Sequence, residues 1–222
     1  MKAITESFHV AKWHFILDYE TMGQDPTTCA AVDCSYVCFD WDRFTSEDPY
    51  TFNGLLNLTQ RAKFNVQDQV KRHGFNIDPS TVEWWSQQEK EVRQLIRPTQ
   101  EDISIETFLA DLQVYLEQHP YLKYWWSRSN TFDPIILWHM TAKANVKPVF
   151  AKLLPHWKVR DTRSFIDGNT NFSLKSNGFV PIQDETRWNE LFKQHSSRHD
   201  IVADVLRLQT LVRLGNNLEI FE

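Results

Sequence analysis

Three short acidic segments, far apart in the chain, constrain the fold most strongly, because a shared site has to bring their carboxylates together. Asp18 and Glu20 follow an apolar segment, and Asp133 opens a helical pattern. Asp204 follows His199 at the start of a further helical pattern. Carboxylates that converge raise each other's pKa, and divalent cations relieve that repulsion, with hard oxygen ligands suiting Mg²⁺ or Mn²⁺. Because a histidine adds a group that takes up a proton near neutral pH, the set fits metal-assisted hydrolysis of phosphodiesters.

The local spacing of these residues agrees with a shared site. Asp18 and Glu20 lie two residues apart on a predicted strand, so both side chains leave the same face at its end. His199 is expected in a loop or first helical turn, and its side chain would point about 140° away from that of Asp204 if both were helical. That separation lets the carboxylate reach a metal ion while the imidazole reaches the attacking water.

Each segment also has a purely structural interpretation. The acidic residues at the strand end could simply face solvent, and Asp133 before Pro134 could cap a helix. His199 could be an exposed histidine at a helix start, and His195 lies close enough in the same segment to be mistaken for it. The order of all three segments, each beside the appropriate local structure, is what favours a shared site.

Apolar periodicity predicts alternating strands and helices, which is an α/β pattern. Strands are predicted at residues 13–19, 30–40, 50–58, 121–127 and 157–162. Helices are predicted at 80–94 with a capping box of Ser80 and Glu83, at 104–118, at 133–144 and after His199, the last burying Ile201, Val205, Leu208 and Val212. Residues 169–184 are expected to form a surface loop. The chain shows no repeat or linker, so a single domain over residues 1–222 is expected.

Composition narrows the class of protein further. With 222 residues, of which 41% are hydrophobic, the chain can bury a substantial core. A net charge of −5 is not typical of a protein that grips duplex DNA by charge alone. Cys29, Cys34 and Cys38 are expected to be reduced, buried thiols, and no segment has a membrane-spanning or signal-peptide pattern. We therefore expect a soluble, cytoplasmic protein that does not engage a membrane.

The ordered motifs resemble those of the DEDDh 3′→5′ exonucleases. Within that group the chain is most similar to the phage exonuclease A proteins, which open with a D-x-E-T-M-G stretch and carry an S-T-x-E-W-W helix start, matched here by Ser80 to Trp85. The resemblance extends from about Trp13 to Leu214, which is nearly the whole chain. If the protein is phage-encoded, the compartment is the host cytoplasm.

The resemblance implies a ribonuclease H-like, three-layer α/β/α fold. Its mixed five-stranded sheet should have the order 3-2-1-4-5, with strand 2 antiparallel. The implied activity is a 3′→5′ exonuclease that releases nucleoside 5′-monophosphates from single-stranded DNA ends with two Mg²⁺ or Mn²⁺ ions. Asp18, Glu20 and Asp204 would hold the first ion, Asp18 would bridge to the second, and Asp133 would help mainly through water. His199 would be the general base.

Other residues are candidates for binding the substrate. The resemblance implies that Thr21, Asn130 and Phe132 lie near the 3′-terminal nucleotide. Trp84 and Trp85 point about 100° apart on a helix, so one should face the core while the other could stack on a base. Core packing of both is the alternative. A basic stretch from Arg61 to His73 could contact the backbone of the substrate or form a solvated face.

The sequence is compatible with two other functions. An exoribonuclease of the same family would use the same residues, since no residue identified here separates the two sugars. A non-catalytic module that binds nucleic acid or a protein should have lost at least one of the five site residues, and all five are present. The sequence therefore favours a nuclease.

Overall fold

The computed structural model describes residues 11–172 and 192–215. Its centre is one mixed sheet of five strands, ordered β3-β2-β1-β4-β5. Strand β2 is antiparallel to both neighbours, whereas β4 is parallel to β1 and to β5. This order and the antiparallel second strand confirm the predicted sheet. The strands are β1 (Trp13–Thr21), β2 (Ala31–Asp40), β3 (Gln60–Lys63), β4 (Tyr124–Ser127) and β5 (Val159–Asp161).

Helical segments connect the strands and cover both faces of the sheet. In chain order they are α1 (Phe52–Leu58), α2 (Val66–Asp68), α3 (Pro79–Ser86), α4 (Lys90–Ile96), α5 (Ile105–Glu117), α6 (Asp133–Lys143), α7 (Lys147–Leu153), α8 (Thr162–Asn169) and α9 (Ser197–Leu214). Short 3₁₀ turns at Trp41–Thr45 and His156–Lys158 and a π-helical turn at Gln69–His73 complete the set in the described ranges.

Two apolar layers lie on opposite faces of the sheet. One layer joins Phe15 and Leu17 of β1 to helices α5, α6 and α7. The other joins Ile16 of β1 to helices α1 and α9. Adjacent residues of a strand point to opposite faces, which explains why Trp125 belongs to the first layer and Trp126 to the second. The result is the expected α/β/α arrangement.

The predicted strand at 50–58 is wrong, because Phe52–Leu58 forms helix α1. The Thr51 side chain accepts a hydrogen bond from the Gly54 N–H at 3.1 Å and caps this helix. Phe52 and Leu55, three residues apart, are both fully buried, as one helical face requires. The edge strand β3 follows immediately at Gln60–Lys63.

The predicted helix at 80–94 is interrupted. Helix α3 ends at Ser86, and α4 begins at Lys90. The N-cap of α3 is Asp78, whose side chain accepts a hydrogen bond from the Ser80 N–H at 2.9 Å. The predicted capping box, with Ser80 as the N-cap, is therefore wrong. Pro79 in the first turn explains this earlier start, because its missing N–H would have no partner there in any case.

The remaining predictions differ from the structure mainly at their boundaries. Helix α5 has Ser104 as its N-cap, and α9 buries Ile201, Val205 and Leu208 as predicted, while Val212 is only partly buried. Most of the loop predicted at 169–184 lies outside the described residues. The three cysteines are buried and unpaired. Within the described ranges, no helix combines the length and apolar character that a membrane span requires.

Candidate active site

The first two acidic residues lie near the end of the central strand. Asp18 and Glu20 alternate with Ile16 on β1, so they leave the sheet on the face covered by α9. The register of β1 and β2 places Asp18 opposite Ser35 and Glu20 opposite Asp33, and the pairing becomes irregular immediately after Glu20. Both carboxylates are partly buried. The structure thus brings this pair together on one face, as their spacing predicts.

Asp133 is carried to the same place by the start of α6. Its side chain is 4% exposed, and its Oδ1 accepts a hydrogen bond from the Tyr19 N–H at 3.2 Å. Because Tyr19 lies between Asp18 and Glu20 in the strand, this bond holds Asp133 beside both. Phe132 occupies the N-cap position and the helix starts at Asp133 itself, so capping does not account for this carboxylate.

The acidic residue of α9 that meets this pair is Asp200. One carboxylate oxygen each of Asp18, Glu20 and Asp200 lies within 4.8 Å of the other two. Asp200 belongs to the first turn of α9 and is partly buried. In the described part of the chain, no side chain donates a hydrogen bond to any of the three. Asp200 is therefore a member of the acidic cluster that the sequence motifs did not indicate.

Asp204 lies one helical turn further along α9 and is 3% exposed. Its Oδ1 accepts hydrogen bonds from Nη1 of Arg128 at 2.5 Å and Nη1 of Arg207 at 2.6 Å. Its Oδ2 accepts one from the Thr162 hydroxyl at 2.7 Å. Both oxygens are thus bonded within the protein, and the metal-ligand role assigned to Asp204 from the motif stays a prediction.

The start of α9 is fixed to β2 by buried hydrogen bonds. The Ser197 hydroxyl donates to Oδ1 of Asp33 at 2.7 Å and lies 2.7 Å from the Ser35 hydroxyl. Oδ2 of Asp33 accepts a hydrogen bond from Nε of Arg61 at 2.8 Å. Because Asp33 lies opposite Glu20 in the sheet, this network sets where α9 begins relative to the acidic cluster.

The cluster holds its protons more tightly than isolated carboxyl groups do. Burial, followed by the charges of Asp133 and Glu20, raises the pKa of Asp18 well above its usual value. Burial, followed by the charge of Asp200, does the same for the pKa of Glu20. Burial also raises the pKa of Asp133 to about 7, and burial together with the charge of Asp204 raises that of Asp200 to about 7. A set made only of carboxylate oxygens, each hard to ionise alone, fits a bound divalent cation.

The two histidines of this segment have different surroundings. His199 lies in the first turn of α9, where its Nδ1 accepts a hydrogen bond from the Lys193 N–H at 3.2 Å. Its ring packs edge to face on Phe52, with centroids 5.5 Å apart. When neutral His199 accepts this bond at Nδ1, its ring proton is on Nε2. Nε2 can therefore accept a proton only in the other tautomer, in which Nδ1 carries the ring proton. His195, with φ of 62°, packs edge to face on Trp84 at 4.8 Å, and burial lowers its pKa.

A cleft of about 370 Å³ opens beside Glu20. It lies between the end of β1, the following loop, α3 and the start of α6. Four of the five predicted substrate-binding residues line it, and Asn130 does not. The lining residues are Glu20, Thr21, Gly23, Gln24, Ser80, Thr81, Trp84, Trp85 and Phe132.

The two adjacent tryptophans take different roles in this wall. Trp85 is 3% exposed, and its indole N–H donates to the Thr21 carbonyl oxygen. Trp84 is 39% exposed and presents its ring to the cleft. Core packing of both is therefore wrong, and Trp84 remains a candidate for stacking on a base. Asn130 instead donates its backbone N–H to Asp161 at 3.0 Å, with its side-chain oxygen buried.

Cations of the basic stretch are used within the protein. Arg61 pairs with Asp33, and Lys63 pairs with Asp102 at 3.0 Å. Arg72 forms ion pairs with Asp68 at 3.1 Å and with Glu106 at 2.9 Å. These ion pairs favour the structural interpretation for Arg61, Lys63 and Arg72.

A sequence signal for Asp200 exists in retrospect. Asp200 follows His195 by the same interval as Asp204 follows His199, so the histidine-to-aspartate spacing occurs twice, offset by one helical turn. Spacing alone cannot choose between the two pairs.

The two arginines that pair with Asp204 come from different elements of the fold. Arg128 follows β4, and Arg207 belongs to α9.

Comparison with known proteins agrees with this geometry. The model of a family described as the 3'-5' exoribonuclease Rv2179c-like domain matches residues 13–200. An exodeoxyribonuclease of Enterobacteria phage T4 is 29% identical over 218 residues, which cover 92% of this chain and 91% of that protein.

Solved structures of exonuclease I share the fold. The enzyme of Methylocaldum szegediense superposes with a TM-score of 0.60 at 14% identity, covering 94% of this chain and 42% of its own. The E. coli enzyme in complex with a dA16 oligonucleotide gives a TM-score of 0.58 at 15% identity, covering 93% and 41%. The chain thus spans less than half the length of these exonuclease I proteins.

Proposed function

The chain belongs to the family of the 3'-5' exoribonuclease Rv2179c-like domain, and on that basis we propose that it is a 3′→5′ exonuclease that degrades single-stranded DNA to nucleoside 5′-monophosphates. The observation that carries this proposal is the convergence of Asp18, Glu20 and Asp200, with Asp133 beside them, next to an open cleft. Four carboxylates from three distant segments repel one another at this range, and a bound divalent cation would offset that repulsion.

The acidic cluster would hold Mg²⁺ or Mn²⁺, with two ions as expected for this class of nuclease. Asp18, Glu20 and Asp133 would be ligands together with a carboxylate of α9, which the motif resemblance takes to be Asp204. Such ions, when bound, lower the pKa of a water molecule and stabilise charge that develops on the phosphate. The oxygen-only donor set suits these hard cations.

The chain's own residues would supply the remaining functions. His199, the base implied by the motif, would accept a proton from the attacking water after giving up its bond to the Lys193 N–H. Thr21 and Phe132 would hold the terminal nucleotide in the cleft, and the exposed face of Trp84 would stack on a base. The motif resemblance also assigns Asn130 to the substrate site, where its side-chain oxygen would have to turn towards the cleft.

DNA is the favoured substrate, because the T4 relative is an exodeoxyribonuclease that matches almost end to end. The structure of E. coli exonuclease I with a dA16 oligonucleotide is a second reason to propose single-stranded DNA. RNA is the second candidate, because the matching family is described as exoribonucleases. Contacts to a 2′-hydroxyl would separate the two.

The test is a digest of matched DNA and RNA oligomers of one sequence, each labelled at the 5′ end, with Mg²⁺, Mn²⁺ or EDTA. We expect a ladder that shortens from the 3′ end of DNA in either metal and none in EDTA. Asp18→Asn is the matched control and should be inactive. Faster degradation of RNA would make the RNA candidate the function, and internal cleavage products would refute exonuclease action.

The cellular compartment and the domain organisation are inferred from other features. We propose a cytoplasmic protein, because its three cysteines are buried thiols without disulfide partners. We also propose that residues 1–222 act as one domain, because the described elements pack around one sheet.

A further inference from the structure

We propose that the chain has a second binding surface for single-stranded nucleic acid, at the end of the strands opposite the acidic cluster. It would hold the part of the strand that lies upstream of the 3′ end in the cleft. This inference rests on the proposed function, because the strand that it concerns is the substrate of that site. The surface, called here the basic aromatic surface, consists of Tyr121, Lys123, Lys152, Trp157 and Lys158.

Four of these five residues lie just before parallel strands of the sheet. Tyr121 and Lys123 precede β4, and Trp157 and Lys158 precede β5. Because β4 and β5 are parallel neighbours, their first residues lie at the same end of the sheet. Lys158 joins the two segments, since its Nζ donates a hydrogen bond to the Leu122 carbonyl oxygen at 2.6 Å.

This end of the sheet is separated from the acidic cluster by much of the length of β1. Strand β1 is parallel to β4 and begins at Trp13. Asp18 lies five residues beyond Trp13, which is about 17 Å at the usual rise of a strand. Single-stranded nucleic acid with stacked bases covers that distance with roughly five nucleotides. A substrate longer than a few nucleotides can therefore reach both places.

Two large aromatic side chains project from this end of the sheet. Tyr121 is 91% exposed, and Trp157 is 65% exposed. The φ of Tyr121 is 65°, in the left-handed region that glycine and asparagine favour. Glycine would therefore serve a turn alone better, and the exposed tyrosine ring gives the fold little buried contact in return. Exposed rings are platforms on which bases of any sequence can stack.

The positive charges beside these rings are not neutralised by ion pairs. In the described part of the chain, Lys123, Lys152 and Lys158 form no ion pair with a carboxylate. A groove of about 360 Å³ is lined by Tyr121, Lys152 and Lys158, and Glu117 is the one carboxylate among its lining residues. This surface can thus attract phosphate groups, although the whole chain has a net charge of −5.

A solvated face is the simplest explanation of exposed lysines. It does not explain the large aromatic rings beside them, because clustered apolar side chains on a surface mark interaction sites. An acidic segment of another protein would also fit the charge. Single-stranded nucleic acid is favoured because it supplies both phosphates and stacking bases, and because the proposed substrate already lies within reach. The basic stretch differs from this surface, since its Arg61, Lys63 and Arg72 are engaged in ion pairs.

The experiment measures the affinity of the Asp18→Asn protein for labelled single-stranded DNA by fluorescence anisotropy in Mg²⁺. An oligomer of about four nucleotides occupies the cleft alone, and one of about thirty reaches both places. Tyr121→Gly and Trp157→Ala, each added to this parent, should weaken binding of the long oligomer by about 5–150-fold and leave the short one unchanged. Tyr121→Gly should melt no lower than its parent, because glycine adopts this φ without strain.

The salt dependence of binding tests the lysines. Lys123→Gln and Lys152→Gln together should reduce the slope of log affinity against log salt by about 1.4 for the long oligomer, because each phosphate contact to a single strand contributes about 0.7. Lys71→Gln changes an exposed lysine outside the basic aromatic surface, so this control should leave the slope unchanged.

Digestion of the two oligomers by the wild type separates this inference from the proposed function. If the wild type digests both while the surface variants bind the long oligomer as tightly as their parent, the basic aromatic surface is refuted and the proposed function stands. If the wild type digests neither, both fall. A polyglutamate peptide that loses affinity in Tyr121→Gly, when the long oligomer does not, would overturn the inference in favour of an acidic protein segment.

Discussion

The indole nitrogen of Trp85 donates a hydrogen bond to the carbonyl oxygen of Thr21 at 2.9 Å, which ties α3 to the end of β1. The bond fixes one wall of the cleft to the strand that carries Asp18 and Glu20. Trp85→Phe keeps a ring but removes the donor of this hydrogen bond to a buried residue. We expect the free energy of unfolding in urea to fall by about 1–3 kcal/mol. An unchanged unfolding midpoint and slope would show that the bond contributes nothing.

Trp84 should contribute to substrate binding and little to the stability of the fold, because its ring is exposed to the cleft. Trp84→Ala in an Asp18→Asn background should weaken binding of a labelled single-stranded oligomer by about 1–3 kcal/mol, the usual value of one stacked base. Fluorescence anisotropy measures the affinity, and urea unfolding should show a much smaller change than for Trp85→Phe. Equal affinity in the two proteins would remove Trp84 from the substrate path.

The acidic cluster predicts how stability depends on pH in the absence of metal. Burial raises the pKa of Asp133 and Asp200 to about 7, so the folded chain keeps protons that the unfolded chain has already lost. These groups therefore lower the stability of the metal-free protein as pH rises from about 4 to about 7. The melting temperature in EDTA should fall more steeply with pH in this window for the wild type than for Asp200→Asn. Parallel curves would contradict the prediction.

Binding of a divalent metal ion should restore the stability that the metal-free protein loses as pH rises, because only the folded chain brings the ligands together. At pH 7, millimolar Mg²⁺ or Mn²⁺ should raise the melting temperature of the wild type and leave that of Asp18→Asn nearly unchanged. Ca²⁺ serves as a comparison, since it also prefers oxygen ligands but differs in size and coordination. A melting temperature that ignores all three ions would contradict the expected site.

The network of Asp33 predicts a destabilisation at the start of α9. Asp33→Ala removes the carboxylate that pairs with Arg61 and accepts from the Ser197 hydroxyl, and breaking such a buried pair costs about 3–5 kcal/mol. Ser197→Ala removes one hydrogen bond only and should cost about 1–3 kcal/mol. Urea unfolding orders the two variants. If Ser197→Ala costs as much as Asp33→Ala, the Arg61 pair does not contribute.

His199 and His195 form a matched pair for the general base. His199→Ala should lower kcat by about 10²–10⁴-fold with little change in KM, the pattern of an interaction made chiefly in the transition state. His195→Ala should affect mainly KM, because the ring of His195 contacts Trp84. Steady-state kinetics at several pH values separates the two effects. If the two variants exchange behaviour, the base is His195, the histidine that stands before Asp200 at the same interval.

Much of the fold could be predicted from local patterns. Strands β1 and β2 follow from their apolar runs, and helix α5 follows from its helical spacing of apolar residues. These patterns indicate the element without knowledge of its neighbours, because they show which faces are buried. The segment from Phe52 to Leu58 could not be assigned in this way, since a short apolar run fits a strand or a helix equally well. Its helical state depends on the cap at Thr51 and on burial against α9, and only the second is a tertiary contact.

The site was predictable to the extent that its residues lie on such elements. The shared face of Asp18 and Glu20 follows from strand alternation. Asp133 was predicted from the motif resemblance, because its place at a helix start alone also fits a cap. That Asp200, rather than Asp204, lies next to the β1 pair could not follow from the sequence, because both lie on one face of α9. In the structure Asp204 is bonded to Arg128, which reaches it from the end of β4 across a long separation in sequence.

The anchoring of α9 on β1 and β2 has a consequence for the order of synthesis. The acidic cluster combines Asp18 and Glu20 from the first strand with Asp200 from the last described helix. A nascent chain that has not yet released residues 197–214 from the ribosome lacks that carboxylate and leaves the Ile16 face of the sheet uncovered. Catalytic competence should therefore arise only after residues 197–214 have emerged, so that translation products and truncations that lack these residues should degrade no nucleic acid.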